Sequence, residues 1–330
     1  MSRLETSLLR ALLAAAVALA SSAPRAEESY ASLSLQNDYL LGNDGGGYTS
    51  GIFASKLRVA SPGEGGVSPF WLFGPVATWL GLPQPTLTSA MLGQIIVTPA
   101  DITRAVPDPN DAPYLGALMF RAAQVYVRGD VADMFALELG MIGPASGAAQ
   151  TQRGVHRLTG SKAPQGWDTQ VPNRLLVSLD AYRARRFAFG GGAAETAPAD
   201  LVVLGGGNLG SLKSSVGGSV LLRYGTGLER SLPTTVRVSG NTGDPFVVGR
   251  GWFVFGGFSA DRLFRHAGVG NSAPGNTAEL KKTRLAAKVG AAYGGARSSI
   301  TFSLESASPL VEASNKRQQY GAITYSYLLD

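Results

Sequence analysis

The feature that most constrains this chain is a repeated alternation of apolar with polar or small residues at a period of two. In one run Ala31, Leu33 and Leu35 share one parity while Ser32, Ser34 and Gln36 share the other. Phe135, Leu137, Leu139 and Met141 alternate with Ala136, Glu138 and Gly140. Leu175, Val177 and Leu179 alternate with Leu176, Ser178 and Asp180. Late in the chain Leu285, Val289 and Tyr293 oppose Arg284, Lys288 and Gly290, and the last run sets Ile323, Tyr325 and Tyr327 against Ala322, Thr324 and Ser326. Successive strand side chains point to opposite faces, so each run reads as a strand with one apolar face.

That face is the core of a soluble sandwich, or the lipid-facing wall of a transmembrane barrel whose interior is polar. Segment length favours the barrel, because a tilted strand crosses a bilayer in about 9–11 residues. So does the placement of Glu138, Asp180 and Lys288 on the non-apolar parity. A closed barrel also leaves no unpaired edge in lipid. The 43 glycines and only 16% charged residues fit a wall of this kind better than a soluble domain. Beyond the N-terminus no apolar run is long enough for a spanning helix.

Residues 1–26 read as a secretory signal, with Arg3 and Arg10 ahead of the apolar run Ala11–Ala20 and cleavage between 20 and 26. The mature chain, 27–330, is one domain. Losing Arg3, Arg10 and Arg25 with Glu5 lowers the formal charge from +6 to +4, a balance too mild to name a partner. The chain has no cysteine, so neither a disulfide nor a thiol takes part.

The alternation predicts an all-β, antiparallel barrel of twelve strands: 29–40, 48–60, 88–98, 114–128, 132–142, 171–187, 199–209, 213–226, 249–265, 281–294, 297–308 and 318–329. With both termini in the periplasm, Gly129-Asp130 and Gly294-Gly295 become short inner turns. Two longer inner connections, 61–87 and 227–248, break that pattern, and the first is expected to hold a small helical insert with Trp71 and Trp79.

Three loops then gather at the outer end: 38–48, 99–114 and 143–170. The third carries His156, one of two histidines. Ser146 can cap a helix that runs to Leu158 and stops at Gly160. On it Gln152 and His156 stand four apart on one face, and the Gln side chain could then decide which imidazole nitrogen is protonated. Asn37, Asp38 and Thr49 flank the first loop, with Asp44 inside it, and carry only the hard oxygen donors that Ca²⁺ takes. The plain alternatives are a packed histidine and an ordinary turn. His266 follows the ninth strand with no motif around it and is read as structural or solvent-exposed.

A spaced set of motifs joins these residues: QND at 36–38, YTSG at 48–51, GQIIVTPAD at 93–101, DAPYLG at 111–116, GPASGAAQTQRGVH at 143–156, GWDTQ at 166–170 and QQYGAITYSY at 318–327. In that order they resemble the outer-membrane lipid A 3′-O-deacylase family, twelve-stranded barrels that trim acyl chains from lipopolysaccharide. The resemblance implies a Ca²⁺ site at Asn37, Asp38 and Thr49, His156 as the base that activates water, and Gln152 as an accessory group. It further implies a membrane-embedded monomer acting on lipopolysaccharide, with no nucleic-acid partner. Three positions depart from the family pattern: Tyr39 replaces an Asp of some relatives, Ala112 interrupts Asp-Arg-Pro-Tyr, and the chain ends in Asp330 rather than an aromatic residue.

Parity gives one more expectation. Asn37 shares the parity of Leu33 and Leu35, and Thr49 that of Phe53, Leu57 and Val59, so both should project outward at the outer rim, with the His156 helix against them. Asp38 has the opposite parity and must be bent into place. The competing readings are a non-enzymatic barrel, pore or structural, and an outer-membrane phospholipase. The latter class commonly sets a serine beside its histidine, and no serine adjoins either histidine here.

Overall fold

Twelve antiparallel strands close on themselves in the computed structural model, which describes residues 27–38, 47–61, 65–190, 198–237, 244–270 and 272–329. The strands are β1 (Glu27–Asn37), β2 (Gly47–Ala60), β3 (Leu87–Thr98), β4 (Leu115–Arg128), β5 (Val131–Ile142), β6 (Arg174–Phe189), β7 (Ala199–Gly210), β8 (Lys213–Gly225), β9 (Gly251–His266), β10 (Thr283–Gly294), β11 (Ser298–Ala307) and β12 (Gln318–Leu328). Each pairs with its sequence neighbours, and β1 closes on β12 from Tyr30↔Leu328 to Asn37↔Gly321. The strand number and order are those the alternation predicts, with ends differing by a few residues. The proposed signal, 1–26, lies outside the described residues.

The expected apolar faces point outward. Leu33 and Leu35 are each 47% exposed, and Leu139, Leu175, Leu179, Val289, Tyr293 and Tyr325 are exposed with them. No helix among the described residues is long and apolar enough to cross a membrane. An apolar belt around a closed barrel is the arrangement that leaves no backbone group unpaired in hydrocarbon.

The interior differs from the uniformly polar one expected. Its outer half is polar: Arg121 Nη1 donates to Glu138 and to Asp180, both at 2.6 Å. Lys288 Nζ lies 3.2 Å from Glu305 and 3.5 Å from Asp244. Its inner half, at the end holding both chain termini, is a true core of Tyr30, Leu57, Val125, Met134, Val236 and Phe246. Part of that core comes from the long β8–β9 connection, which folds back inside the barrel. A short helix, α3 (Leu232–Arg237), is buried along its whole length. Arg223 pins it, donating to Asp200 at 2.7 Å, to Thr235 Oγ1 at 2.8 Å and to the Leu228 carbonyl at 2.8 Å. A connection that reads as an irregular inner loop is therefore a plug.

The other long inner connection contains the expected helical insert, a 3-10 turn at Trp71–Phe73 running into α1 (Gly74–Trp79). His266 is also placed differently. It is the last residue of β9, lines a lumen cavity of about 120 Å³ with Lys213 and Arg284, and its Nδ1 accepts from the Gly268 amide at 3.0 Å.

Candidate active site on the outer wall

The loop after β5 does not hang free over the barrel mouth. It folds back onto the outward side of β3 and β4. The helix begins at Ala148 and ends at Thr159, and is called α2 here. Its N-cap is Gly147 in the left-handed region (φ 71°), not Ser146 as expected. Ser146 sits one residue earlier in a 3-10 turn, donating to the Gly143 carbonyl at 2.6 Å. The wall under this junction must be bare. Gly116 of β4 faces outward there, and a Cβ on it would collide with Ser146 Oγ and Ala148 Cβ. Gln94 of β3, also outward, donates to the Ser146 carbonyl at 2.7 Å. Ile96, Tyr114, Ala148, Ala149 and Trp167 complete a small core between wall and loop.

The expected stop at Gly160 is present and does more than end the helix. Gly160 is left-handed (φ 70°), a conformation that favours glycine, and it reverses the chain. The turn brings the Lys162 carbonyl within 2.6 Å of His156 Nδ1. A carbonyl only accepts, so Nδ1 carries the proton and Nε2 keeps the basic lone pair. The ring is half-buried at the loop surface.

Gln152 therefore does not set the tautomer, contrary to expectation. Its Oε1 accepts from Trp167 Nε1 at 2.7 Å, and the residue is 4% exposed. Because the indole N–H must meet an acceptor, the amide orientation is fixed and the NH₂ group turns the other way. That Nε2 is buried with no hydrogen-bond partner, as is Oε1 of Gln170, whose own Nε2 donates to the Trp167 carbonyl at 2.9 Å. Two buried amide atoms around one tryptophan are thus left without a protein partner.

Trp167 was not singled out in sequence, although it lies in the GWDTQ motif, and a buried indole always needs a partner for its N–H. The β3–β4 loop braces it. Tyr114 packs on the indole, with ring centroids 4.8 Å apart, and its hydroxyl donates to the Ile102 carbonyl at 3.0 Å. Burial pushes the Tyr114 phenol up to about 12, which keeps it a donor. Nearby, the Thr103 hydroxyl and amide hold the exposed Asp101 carboxyl below its ordinary range.

Asn37 and Thr49 come to the outer rim as expected, but the parity argument for Thr49 was wrong. Phe53, Leu57 and Val59 point inward and are buried, while Ile52 is outward. A bulge between Tyr48 and Ser50 resets the alternation. Thr49 is the extra residue, and its hydroxyl meets that of Thr98 at 2.8 Å. Thr98 ends β3 on the parity of Gln94 and Ile96, so the pair lies on the α2 side of the wall. Asn37 pairs with Ser50 one step away. Asp38 follows directly and is buried. Tyr39 and Asp44 fall outside the described residues. An amide oxygen, a carboxylate and a buried hydroxyl on adjoining strands fit a hard cation such as Ca²⁺ by donor type.

Comparisons with known proteins agree with this architecture. The family model for outer membrane protein LpxR matches residues 8–329. The solved structure of LpxR from Salmonella typhimurium superposes with a TM-score of 0.71 at 16% identity, covering 91% of this chain and 100% of that one. At that identity the likeness speaks for the fold. The translocator domain of the autotransporter NalP from Neisseria meningitidis gives a TM-score of 0.41 at 14% identity, with 98% and 95% covered. The β domain of the Bordetella autotransporter BrkA gives 0.38 at 12%, with 92% and 98% covered. Neither of these two carries the argument further. A comparison with curated proteins gives no match.

Proposed function

The chain belongs to the family of outer membrane protein LpxR and resides in the outer membrane, and from that membership we propose that it is a lipid A 3′-O-deacylase working at the wall of its barrel. The observation that carries the reading is His156: a helix-borne imidazole whose Nδ1–H is held by the Lys162 carbonyl at 2.6 Å. That bond leaves Nε2 as the proton acceptor of the ring.

The chemistry is hydrolysis of the 3′-acyloxyacyl ester. Nε2 takes a proton from water as the water oxygen attacks the acyl carbon. The carbon–oxygen bond to the sugar-side hydroxyl breaks, and the imidazolium returns its proton to that oxygen, releasing a fatty acid. Trp167 holds Gln152, and Gln152 presents its NH₂ toward the bound ester. Asn37, Asp38 and Thr49 would hold Ca²⁺. When bound, that ion supplies Lewis-acid stabilisation of the charge developing on the carbonyl oxygen. The loop helix lies on the outward side of the wall, so a lipid can approach laterally with its acyl chains still in the leaflet.

A pore is disfavoured by the filled inner half of the lumen. Purified barrel in detergent is to be incubated separately with lipopolysaccharide and with phospholipid, and the lipid products weighed by mass spectrometry. Loss of the 3′-linked acyloxyacyl group from lipid A, with phospholipid left intact, is expected. Release of fatty acid from phospholipid, or no product from either, would overturn the reading.

A further inference from the structure

The helical insert between β2 and β3 is exposed in a way that the site does not explain. Trp71 is 84% and Trp79 83% exposed, against 44% for Trp252 on the barrel wall. Neither the 3-10 turn nor α1 buries any residue. Leu72, Val76, Trp79 and Leu80 are exposed at spacings of four, three and one, a single helical face. The insert lies at the inner end and is tied to the outward side of the wall. Arg58 has the parity of Ile52, and its Nη2 donates to the Ser68 carbonyl at 2.9 Å. Beside it on the same face Thr88, Gln124 and Tyr126 are buried although their parity points outward, so the wall is covered here.

Cations on that outward parity line the inner ends of the strands from β2 to β6. Lys56 and Arg58 stand near the inner end of β2, Arg128 at that of β4, and Arg183 and Arg185 near that of β6. Asp133 takes up Arg128 and Arg183 at 2.7 and 2.6 Å, and Glu27 lies 3.6 Å from Arg58. The patch stays net positive. Tryptophan is enriched at membrane interfaces, and phospholipid phosphates attract a basic rim of this kind.

We propose that Trp71–Leu80 is an interfacial anchor, seated at the headgroup–acyl boundary of the inner, phospholipid leaflet and flanked by a cationic rim that engages lipid phosphates. The apolar face continues the lipid-facing belt, which favours a bilayer over a periplasmic protein as its occupant. The proposal rests on the barrel's membrane location and not on the deacylase reading.

The chain has no cysteine, so single labels are unambiguous. Leu72→Cys, Val76→Cys and Trp79→Cys are each to carry a nitroxide in vesicles of phosphatidylethanolamine and phosphatidylglycerol. Asp130→Cys in the short β4–β5 turn serves as the aqueous control. Power saturation compares collisions with oxygen and with a water-soluble nickel chelate, and heat-modifiable gel migration confirms that each barrel is folded. An oxygen-to-nickel ratio above unity at 72, 76 and 79 and below unity at 130 is expected. Ratios at 76 and 79 matching position 130 would overturn the proposal and leave the face to an aqueous partner.

Discussion

His156 Nδ1 lies 2.6 Å from the carbonyl oxygen of Lys162, six residues further along. The contact exists because Gly160, left-handed at φ 70°, turns the chain back beneath the last turn of the helix. It gives one ring nitrogen a fixed duty and leaves the other for chemistry. His156→Ala should keep the barrel folded and lower deacylation by about 10²–10⁴-fold, the range for a lost general base. Release of fatty acid from lipopolysaccharide measures it, and near-normal turnover would remove His156 from the mechanism. His266→Ala, in the lumen, should leave turnover unchanged.

Trp167 acts on Gln152 through one hydrogen bond. Trp167→Phe keeps the aromatic body and deletes the N–H, leaving a buried amide oxygen unpaired at a cost of about 1–3 kcal/mol. The turnover number should fall more than the Michaelis constant changes, because the amide would be free to rotate. Unfolding of the loop would show as new protease cleavage within 143–170, and kinetics unchanged from the parent would sink the positioning role.

Gly116 is bare because the loop sits on it. Gly116→Ala should lift Ser146 and Ala148 off the wall, and displacing a catalytic element by about 1 Å can cost about 10²-fold in rate. The strands should be untouched, so heat-modifiable gel migration and sheet content should match the parent. Equal loss of both fold and activity would point to a defect in the barrel and not in docking.

Ca²⁺ dependence is tested at Asp38. A chelator should abolish deacylation and added Ca²⁺ should restore it, whereas Asp38→Ala should respond to neither at ordinary Ca²⁺. Activity that survives exhaustive chelation would separate the oxygen cluster from the reaction.

Arg121 is buried between two carboxylates. Arg121→Met removes the cation hydrogen-bonded to both Glu138 and Asp180 and should destabilise the barrel by about 3–5 kcal/mol. The gel shift on heating should move to lower temperature. Adding Glu138→Gln should recover part of the loss, and no change from Arg121→Met alone would show that the lumen rehydrates freely.

The wall was legible because its signal is local. Leu33, Leu35 and their counterparts alternate whatever their partners do, and a closed ring of such strands needs no further instruction. Thr49 shows where this fails. Its direction depends on a bulge at Tyr48–Ser50 that exists only in pairing with β3, so counting by twos from Phe53 gives a false reason for a correct placement. The plug was hidden for a related cause: residues 226–250 show no period, and α3 is held inside by partners that exist only on the finished wall, Arg223 and the inner core among them. In the loop, the stop at Gly160 could be read, but the Lys162 carbonyl carries no side-chain signature. The partner of Gln152 was legible in principle, since Trp167 lies within the GWDTQ motif.

The filled inner half bears on the envelope that the barrel sits in. An outer membrane survives by sieving, and every open barrel added to it raises leakage of small solutes. Here Phe246, Val236 and Met134 fill the inner half of the bore, while His156 and Thr49 stand on the outer side of the wall. Each copy should therefore add little to the permeability of the membrane it sits in, as a conductance measurement on planar bilayers would check.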